Sequence, residues 1–561
     1  MKTLLPRFGV PLSTALWAAL LVSCAHTGGG QPPLTQPSAP PPVHLRLLAI
    51  NDFHGNLAPP EGSSGDIRTD TGRVKAGGAA WLASHLNQLR ASAPGPTLMV
   101  SSGDLIGASP LVSALFHDEP TIEAMNLMGL ALNAVGNHEF DEGAAELLRL
   151  QTGGCHPQDG CQGKERFEGA RFQFLAANVV DARGATLFPP YAVREFEGVK
   201  VAFIGMTLQG TPEIVNAAGI QGLRFLDEAD TVNALVPGLR EQGVKAIVVL
   251  VHEGGLQKPG GPYDGCEGLS GPIVDIVHRL DAEVDVVLSA HTHQSYNCVL
   301  EGKRVTSAAS YGRLITHLDL VLDRTSGDVV ETSAHNVIVT REGAGEDAVR
   351  ALVEHYDALS APLRDRVLGR VTAPLRKTDE RLWPSGESTL GNFISDAQLE
   401  ATRDAGAQVS FMNPGGIRAD LDAGDVTYGE AVTVQPFGNA LVTLTLSGEQ
   451  LHQLLEEQWK GDSARILQPS RGFTYTWSES APVGQKVDPA SLRLNGEPVR
   501  PEALYRVSVS SFLAGGGDGF RALTLGTNRQ GGPLDVDAMD SFLKAHSPVA
   551  PPSTDRIQRV K

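Results

Sequence analysis

In this sequence, short apolar segments are followed within a few positions by seven side chains of the types that bind metal ions. The segments LRLLAI, TLMV, LNAV, KAIVVLV and VDVVLSA lead into Asp, Asn and His residues. A sixth segment, KVAFIG, ends in Met206-Thr207 and is interpreted as an ordinary core strand. Oxygen and imidazole donors without thiolate suit Zn, Mn, Fe, Co or Ni ions. The candidate ligands are Asp52, His54, Asp104, Asn137, His252, His291 and His293.

This donor set is too large for one tetrahedral ion and suits two divalent ions that share the Asp104 carboxylate. Asp52 and His54 stand two residues apart, so both face one side of an extended segment. Two ions about 3.5–4 Å apart clamp the attacking and leaving oxygens of an in-line displacement and lower the pKa of a shared water. The sequence therefore predicts a hydrolytic centre with two divalent metal ions (Zn, Mn, Co or similar) as cofactors.

His138 follows the candidate ligand Asn137 and is the predicted catalytic side chain next to this centre. As an imidazolium it stabilises charge on phosphoryl oxygens or protonates a leaving oxygen. Asp141 is predicted to hold this imidazole in the required tautomer. The alternative interpretation is that Asp141 only caps the helix that follows.

Alternating strands and helices must bring these distant residues together. Apolar residues at spacings of three and four predict helices between the strand-like segments. This alternation is typical of an α/β domain, in which ligands lie at the carboxyl ends of the strands. The predicted helices cover residues 79–90, 111–128, 142–150, 227–242 and 272–280, and a charged connector helix covers 346–367.

A second, α+β domain is predicted after the connector, with helices over 391–403 and 448–459 and strands over 409–412, 441–446 and 505–509. Three of its loops suit a nucleotide. The segments NPGGIR, QPFGN and SFLAGGGDGF combine glycines, which allow close approach to the backbone, with an arginine fork and two aromatic rings. The candidate substrate-binding residues are Asn413, Gly416, Arg418, Phe437, Asn439, Phe512 and Asp518.

The ordered motifs D-x-H, GD-x-x-G, GNHE, H and A-H-x-H resemble those of the calcineurin-like metallophosphoesterases. From about residue 46 to the end, the chain resembles the secreted bacterial 5′-nucleotidase / UDP-sugar hydrolase family. The resemblance implies a four-layer α/β/β/α domain joined by a helix to a substrate-binding domain that rotates to deliver phosphate to the metals. It assigns Asp52, His54, Asp104 and His293 to one ion, and Asp104, Asn137, His252 and His291 to the other.

In the second domain the resemblance implies that Phe437 and Phe512 stack on the base. Asp518 would contact ribose, and Arg418 with Asn413 would contact phosphate or ribose. The sequence departs from the family pattern in two places. Some members carry Gln at the position of His293, and well-known members have an arginine in or just before the segment ESTLGN, where the nearest one here is Arg381.

The N-terminus has the features of an export signal. A positively charged start precedes a short apolar segment that ends in Leu-Val-Ser-Cys, which resembles a lipobox with lipidation at Cys24; simple signal cleavage nearby is the alternative. The expected organisation is a lipoprotein signal peptide over 1–24, a Gly/Pro-rich tether over 25–43, a metallophosphoesterase domain over 44–342, a linker helix over 343–372 and a nucleotide-binding domain over 373–561.

Four further cysteines suit disulfides in an exported protein. Of three possible pairings, Cys155–Cys161 with Cys266–Cys298 is favoured, and both pairs are expected in glycine-rich stretches. A zinc site is the disfavoured alternative because neither pair has the C-x2-C spacing.

The net charge of −18 argues against a nucleic-acid polymer as partner. The predicted function is hydrolysis of nucleoside 5′-monophosphates outside the cytoplasm, with UDP-sugars or nucleoside polyphosphates as further candidate substrates. The expected location is the cell envelope or periplasm, with membrane contact only through the lipid and no obligate protein partner. The alternatives are a 2′,3′-cyclic-nucleotide phosphodiesterase with 3′-nucleotidase activity, a thiosulfohydrolase, and a non-enzymatic envelope binding lipoprotein with a relict metal site.

Overall fold

The computed structural model of the chain describes residues 40–60, 62–215, 217–258, 260–377, 384–460 and 464–561. The predicted signal peptide with Cys24, nearly all of the predicted tether, and Arg381 lie outside these residues. Within the described part of the chain, no helix combines the length and the apolar character needed to cross a bilayer.

The first domain is built on two six-stranded sheets. In the first sheet, three parallel strands at the centre carry the first three of the six apolar segments. Its strands, in spatial order, are Val329–Ile338, Leu314–Leu322, Val43–Ile50, Thr97–Ser101, Leu130–Ala134 and Gln173–Leu175.

The second sheet carries the other three apolar segments, again as parallel neighbours. The segment ending at Met206 is a buried strand of this sheet, which agrees with its interpretation as a core strand. The strands, in spatial order, are Ser295–Leu300, Lys303–Ala308, Val286–Ser289, Ala246–Val251, Val199–Met206 and Tyr191–Phe196.

The two sheets face each other and each is covered by helices on its outer side. Leu47 and Val100 of the first sheet share one apolar core with Val201 and Val248 of the second. Separate cores lie between each sheet and its helices. Central strands buried on both faces explain the nearly continuous apolar segments. This arrangement confirms the four-layer α/β/β/α fold. Its helices are Ala79–Ala91, Leu111–Ala114, Glu119–Met128, Ala144–Thr152, Thr211–Ile214, Glu228–Glu241 and Pro272–Arg279.

The single helix predicted over 111–128 is wrong, because the structure has two helices there. The break contains His117 and Asp118, whose φ angles are 52° and 59° in the left-handed region. The Asp118 carboxylate accepts hydrogen bonds from the Gly107 backbone N–H (3.0 Å) and the Ser113 hydroxyl (2.5 Å). These tertiary contacts hold a turn where the apolar periodicity alone indicates a continuous helix.

The connector helix is Asp347–Arg364. The Glu346 carboxylate caps its start by accepting the Val349 N–H at 2.8 Å. Tyr356 is fully buried and its ring packs edge-on against Phe116 of the first domain, with ring centroids 4.9 Å apart. The connector is therefore anchored to the first domain by its apolar side.

The second domain combines a five-stranded and a four-stranded sheet with helices. The five-stranded sheet contains Gln468–Pro469, Val409–Met412, Leu504–Ser510, Ala440–Ser447 and Thr527–Leu534; the four-stranded sheet contains Glu497–Pro498, Arg493–Leu494, Phe473–Ser478 and Ile557–Val560. The helices are Thr389–Ala401, Tyr428–Val434, Gly448–Glu456, Ser511–Ala514 and Asp535–His546. Two-stranded ribbons complete the described strands: Asp66–Thr69 with Gly72–Lys75, Val179–Val180 with Arg224–Phe225, and Val367–Val371 with Gly424–Thr427.

In the part of the chain that the structure describes, two disulfides are present, Cys155–Cys161 and Cys266–Cys298, which confirms the favoured pairing. Cys298 lies in the strand Ser295–Leu300 and is buried, so the expectation that both pairs lie in glycine-rich stretches is wrong for this residue. The second disulfide thus ties the loop after Val251 to an edge strand of the second sheet.

Candidate metal centre and substrate loops

The structure brings the seven candidate metal ligands together at the carboxyl ends of the strands. Nε2 of His54 lies 3.1 Å from Nε2 of His293. Nε2 of His252 lies 3.0 Å from Oδ2 of Asp104 and 3.1 Å from Oδ1 of Asn137. Residues separated by up to about 240 positions in the chain therefore converge, as the strand-end argument predicts.

Besides a group that joins His138 to His54 and Asp104, the described residues at this centre form two adjoining groups of candidate ligands in which all donor atoms lie within 4.8 Å of one another. One group is Asp52, His54 and His293, and the other is Asp104, His252 and His291. Oδ2 of Asp104 also lies 3.6 Å from Nε2 of His54, so this carboxylate adjoins both groups. The donor set fits two divalent ions with Asp104 between them.

Backbone carbonyls fix which imidazole nitrogens face the centre. Nδ1 of His54 lies 2.8 Å from the Gly107 carbonyl, and Nδ1 of His252 lies 2.9 Å from the Ser102 carbonyl. A carbonyl only accepts, so each Nδ1 carries a proton and each Nε2 is the nitrogen left to bind a metal ion. Imidazoles that bind metals in proteins are held in this way.

The charges in the centre depend strongly on one another. Burial raises the pKa of Asp52 to about 7 and, together with the nearby His252, lowers the pKa of His291 to about 3. Burial disfavours a charged His252, but the Asp104 carboxylate outweighs it and raises the pKa of His252 to about 10. Carboxylates and imidazoles this close share protons that a bound cation displaces, because metal ligands must be deprotonated.

Five of the seven candidate ligands have a left-handed backbone. The φ angles are 49° at Asp52, 48° at His54, 53° at Asp104, 67° at His291 and 55° at His293. This region costs a non-glycine residue about 1–2 kcal/mol, and such residues cluster at functional sites. At these residues the backbone reverses tightly after each strand, so the side chains point into one small volume.

Two glycines leave space that the ligands need. A Cβ atom on Gly103 would lie 2.7 Å from Nδ1 of His252, and one on Gly136 would lie 2.2 Å from Oδ1 of Asp104. Any side chain at these positions would displace a ligand.

His138 and Asp141 form the expected pair beside the centre. Nδ1 of His138 lies 2.8 Å from Oδ2 of Asp141, so the carboxylate accepts the Nδ1 proton. Burial favours the neutral ring, but the Asp141 and Asp104 carboxylates outweigh it and raise the pKa of His138. The helix Ala144–Thr152 begins at Gly143 without a side-chain cap, so the alternative helix-capping role of Asp141 is wrong.

The three loops of the second domain are joined to one another by hydrogen bonds. Asn413 donates to the Asp518 carboxylate at 2.7 Å, and the Ser511 hydroxyl donates to the Asn439 side-chain oxygen at 3.1 Å. The Arg418 N–H donates to the Val434 carbonyl at 2.9 Å. The loops therefore form one preorganised wall.

Gly416 is buried in this wall, and a Cβ atom there would lie 2.5 Å from Cε of Met412 and 2.9 Å from Oδ1 of Asn413. In this conformation the missing side chain of Gly416 makes room for Asn413. The sequence analysis predicts instead that this glycine lets a ligand approach the backbone.

This wall meets the metal centre across the two domains. The Phe437 ring stacks on the His138 imidazole, with centroids 5.6 Å apart and planes inclined by 18°. The Arg418 guanidinium lies 5.9 Å from the centroid of the same Phe437 ring. Phe512 packs against the core of the second domain, and it forms no ring contact with Phe437 among the described residues. Phe437 and Arg418 therefore border the junction with the metal centre, which we call the cleft. The other candidate substrate residues, Asn413, Asn439, Phe512 and Asp518, belong to the same hydrogen-bonded loops.

Two further residues near the cleft were not recognised from the sequence. Nζ of Lys377 donates to the Arg418 carbonyl at 3.2 Å, and burial followed by the nearby Arg418 charge lowers the pKa of Lys377. Tyr311 packs edge-on against His54 and His293, with centroids 6.0 and 5.5 Å away. Lysine on an irregular segment carries no motif, so only the three-dimensional placement identifies it.

The chain matches two family models. The calcineurin-like phosphoesterase model matches residues 45–295, and the 5′-nucleotidase C-terminal domain model matches residues 367–525. Endonuclease YhcR of Bacillus subtilis (strain 168) is 33% identical over 528 residues, which are 92% of this chain and 41% of that protein. Cell wall protein Lmo0130 of Listeria monocytogenes serovar 1/2a is 34% identical over 521 residues, or 87% of this chain and 65% of that protein. The chain thus spans less than two thirds of the length of these two relatives.

The crystal structure of a 5′-nucleotidase precursor from Thermus thermophilus has the same fold. Its TM-score is 0.76 at 29% identity, and the match covers 92% of this chain and 99% of that one. Two facing sheets with an Asp/His/Asn cluster at their strand ends define the first domain as a metallophosphoesterase. More specifically, the chain belongs to the family that joins a calcineurin-like phosphoesterase domain to a 5′-nucleotidase C-terminal domain. The prediction of two divalent metal ions agrees with this family and with the two donor groups.

Proposed function

We propose that this protein is a metal-dependent phosphohydrolase that converts nucleoside 5′-monophosphates to nucleoside and phosphate outside the cytoplasm. The observation that carries the proposal is the contact between the domains: the Phe437 ring of the nucleotide-type loops stacks on His138 of the metal centre, and the Arg418 guanidinium lies over the same Phe437 ring. A ligand held by these loops has its phosphate next to the metal ligands.

The residues of the chain have separate roles in this reaction. When bound, the two ions supply an activated water and neutralise phosphoryl charge. His138, oriented through Nδ1 by Asp141, presents Nε2 toward the cleft and protonates the leaving oxygen. Arg418 and the neighbouring Lys377 add positive charge that attracts the phosphate and holds it in the cleft.

Arg418 and Lys377 together suit more than one phosphate, which keeps nucleoside polyphosphates and UDP-sugars as candidate substrates. YhcR is named an endonuclease, which makes single-stranded DNA a necessary member of any substrate panel. The net charge of −18 favours the small substrate over the polymer.

The substrate panel consists of AMP, UDP-glucose, ATP, 3′-AMP, 2′,3′-cAMP and single-stranded DNA, each with the Mn-, Co- or Zn-loaded protein. Released phosphate and nucleoside are measured. The proposal predicts the highest kcat/KM for a 5′-nucleotide. Turnover restricted to 2′,3′-cAMP and 3′-AMP would replace it with the cyclic phosphodiesterase, and cleavage of DNA alone would replace it with a nuclease. No turnover with two ions bound would leave the binding-lipoprotein alternative.

We also propose that the protein is exported and anchored by a lipid on Cys24. The two disulfides suit an oxidising compartment, and Lmo0130 is named a cell wall protein. Cells that express the full chain are labelled with a radioactive fatty acid, with Cys24→Ala as the matched variant. Label in the unaltered protein and none in the variant is expected, whereas equal labelling or none in either would contradict the anchor.

A further inference from the structure

Glu139 follows the catalytic His138 in the chain, and its carboxylate is only 2% exposed. Its Oε2 accepts the backbone N–H groups of Asp104 (2.9 Å) and Gly136 (2.6 Å). Its Oε1 accepts the Leu105 N–H at 2.9 Å. The carboxylate therefore binds the backbone of the two loops that follow the strands Thr97–Ser101 and Leu130–Ala134.

A hydrogen bond of the opposite sense also joins the same two loops. Oδ1 of Asp104 accepts the His138 N–H at 2.9 Å. Each loop thus contributes a carboxylate that binds the backbone of the other. This reciprocal arrangement holds Asp104 close to Asn137, whose side-chain oxygen lies 3.1 Å from Nε2 of His252, while Oδ2 of Asp104 lies 3.0 Å from the same nitrogen.

Only a carboxylate satisfies this environment. Every group that hydrogen-bonds to Glu139 is a donor, including the Asn133 side-chain amide at 3.4 Å from Oε1. An ionised carboxylate offers acceptors on both oxygens, whereas an amide replaces one oxygen with a donor. Glutamine at this position would turn an NH2 group toward at least one backbone N–H and push the loops apart.

Glu139 also has no oxygen free for a metal ion, because both are used by backbone donors. We propose that Glu139 is a positioning residue that shapes the ion site lined by Asp104, Asn137 and His252, because it clamps the Asp104 loop to the Asn137 loop. The inference rests on the proposed function of the centre, but it concerns metal binding and is measured without substrate.

The test compares Glu139→Gln with Glu456→Gln in the full chain. Glu456 is a matched control in the second domain: it is 5% exposed and its carboxylate accepts the N–H groups of Val487 (2.6 Å) and Lys486 (3.0 Å). The readouts are Mn²⁺ stoichiometry and affinity by calorimetry, the exchange-coupled electron paramagnetic resonance signal of the Mn pair, and the free energy of unfolding.

Glu139→Gln is expected to lower the affinity for one of the two Mn²⁺ ions by about 10- to 100-fold and to abolish the coupled signal. The Glu456→Gln variant should lose a comparable free energy of unfolding but keep the affinity for both Mn²⁺ ions and the coupled signal. If Glu139→Gln does not fold, Glu139→Asp retains the charge but is too short to reach both loops, and the same loss of coupling is expected. Unchanged Mn affinity and coupling in the Glu139 variant, or the same loss in the Glu456 variant, would overturn the proposal. Two bound, coupled ions in the unaltered protein without any nucleotide turnover would instead refute the proposed function.

Discussion

Replacing Asp141 by Asn removes the negative charge that orients His138. The bond between Oδ2 of Asp141 and Nδ1 of His138 is 2.8 Å long and charge-assisted. Such a bond contributes about 1.5–3 kcal/mol. At about 1.36 kcal/mol for each factor of ten, this energy predicts a fall in kcat for AMP of about 10- to 150-fold.

The leaving group reveals which step His138 serves. If His138 protonates the leaving oxygen, Asp141→Asn slows AMP but has little effect on p-nitrophenyl phosphate, because nitrophenolate leaves without a proton. Steady-state kinetics on both substrates, with the exposed Asp275→Asn as control, measure the difference. Equal loss on both substrates would refute the protonation role, and no loss on either would refute the orienting role of Asp141.

Four further predictions follow from the same geometry. Asp104→Asn should reduce kcat at least about 1000-fold and release metal, because the shared carboxylate is lost; metal analysis and kinetics check this, and full metal content with normal turnover would contradict it. Phe512→Ala should raise KM for AMP with kcat nearly unchanged if the ring only stacks on the base, and an unchanged KM removes that assignment. Lys377→Met should raise KM for AMP by about 10-fold, and most of this effect should persist at high salt because salt screens a largely buried charge only weakly; an unchanged KM would contradict the role of the lysine. The Glu142 carboxylate raises the pKa of His117 to about 9, from the 6.5 expected for the unfolded chain, so their pairing stabilises the protein fully below pH 6.5 and is lost as the pH rises through 9. His117→Gln should therefore lower the free energy of unfolding by about 0.5–1 kcal/mol at about pH 6 and by little at about pH 10, and equal losses at both values would contradict the charge pairing.

The sequence predicts the convergence of the candidate metal ligands because strand ends are a local signal. Asp52, Asp104 and His252 each closely follow an apolar segment, and parallel strands place such positions at one edge. The division of these strands between two sheets was implied only by the family resemblance. It is set by which strands pair, a long-range property of the fold that no single segment carries.

Features that depend on tertiary contacts were less predictable. The helix break at His117–Asp118 comes from the bonds of Asp118 to Ser113 and to Gly107, and Gly107 lies outside the periodic segment. The contact of Phe437 with His138 depends on the arrangement of two domains. The position of Lys377 was unpredictable for the same reason, because its contact with Arg418 results from the packing of the loops.

The two donor groups each draw on both sheets of the first domain. Asp52 and His54 follow a strand of the first sheet and His293 follows the second, and Asp104 and His252 are divided in the same way. An ion held by either group would bind side chains from both sheets, so separating the sheets at this edge would require its release. At an ion concentration about 100 times the Kd, one such ion adds about 2.7 kcal/mol to the folded state. Metal supply in the surroundings would thus set part of the stability of the fold as well as the chemistry of the centre.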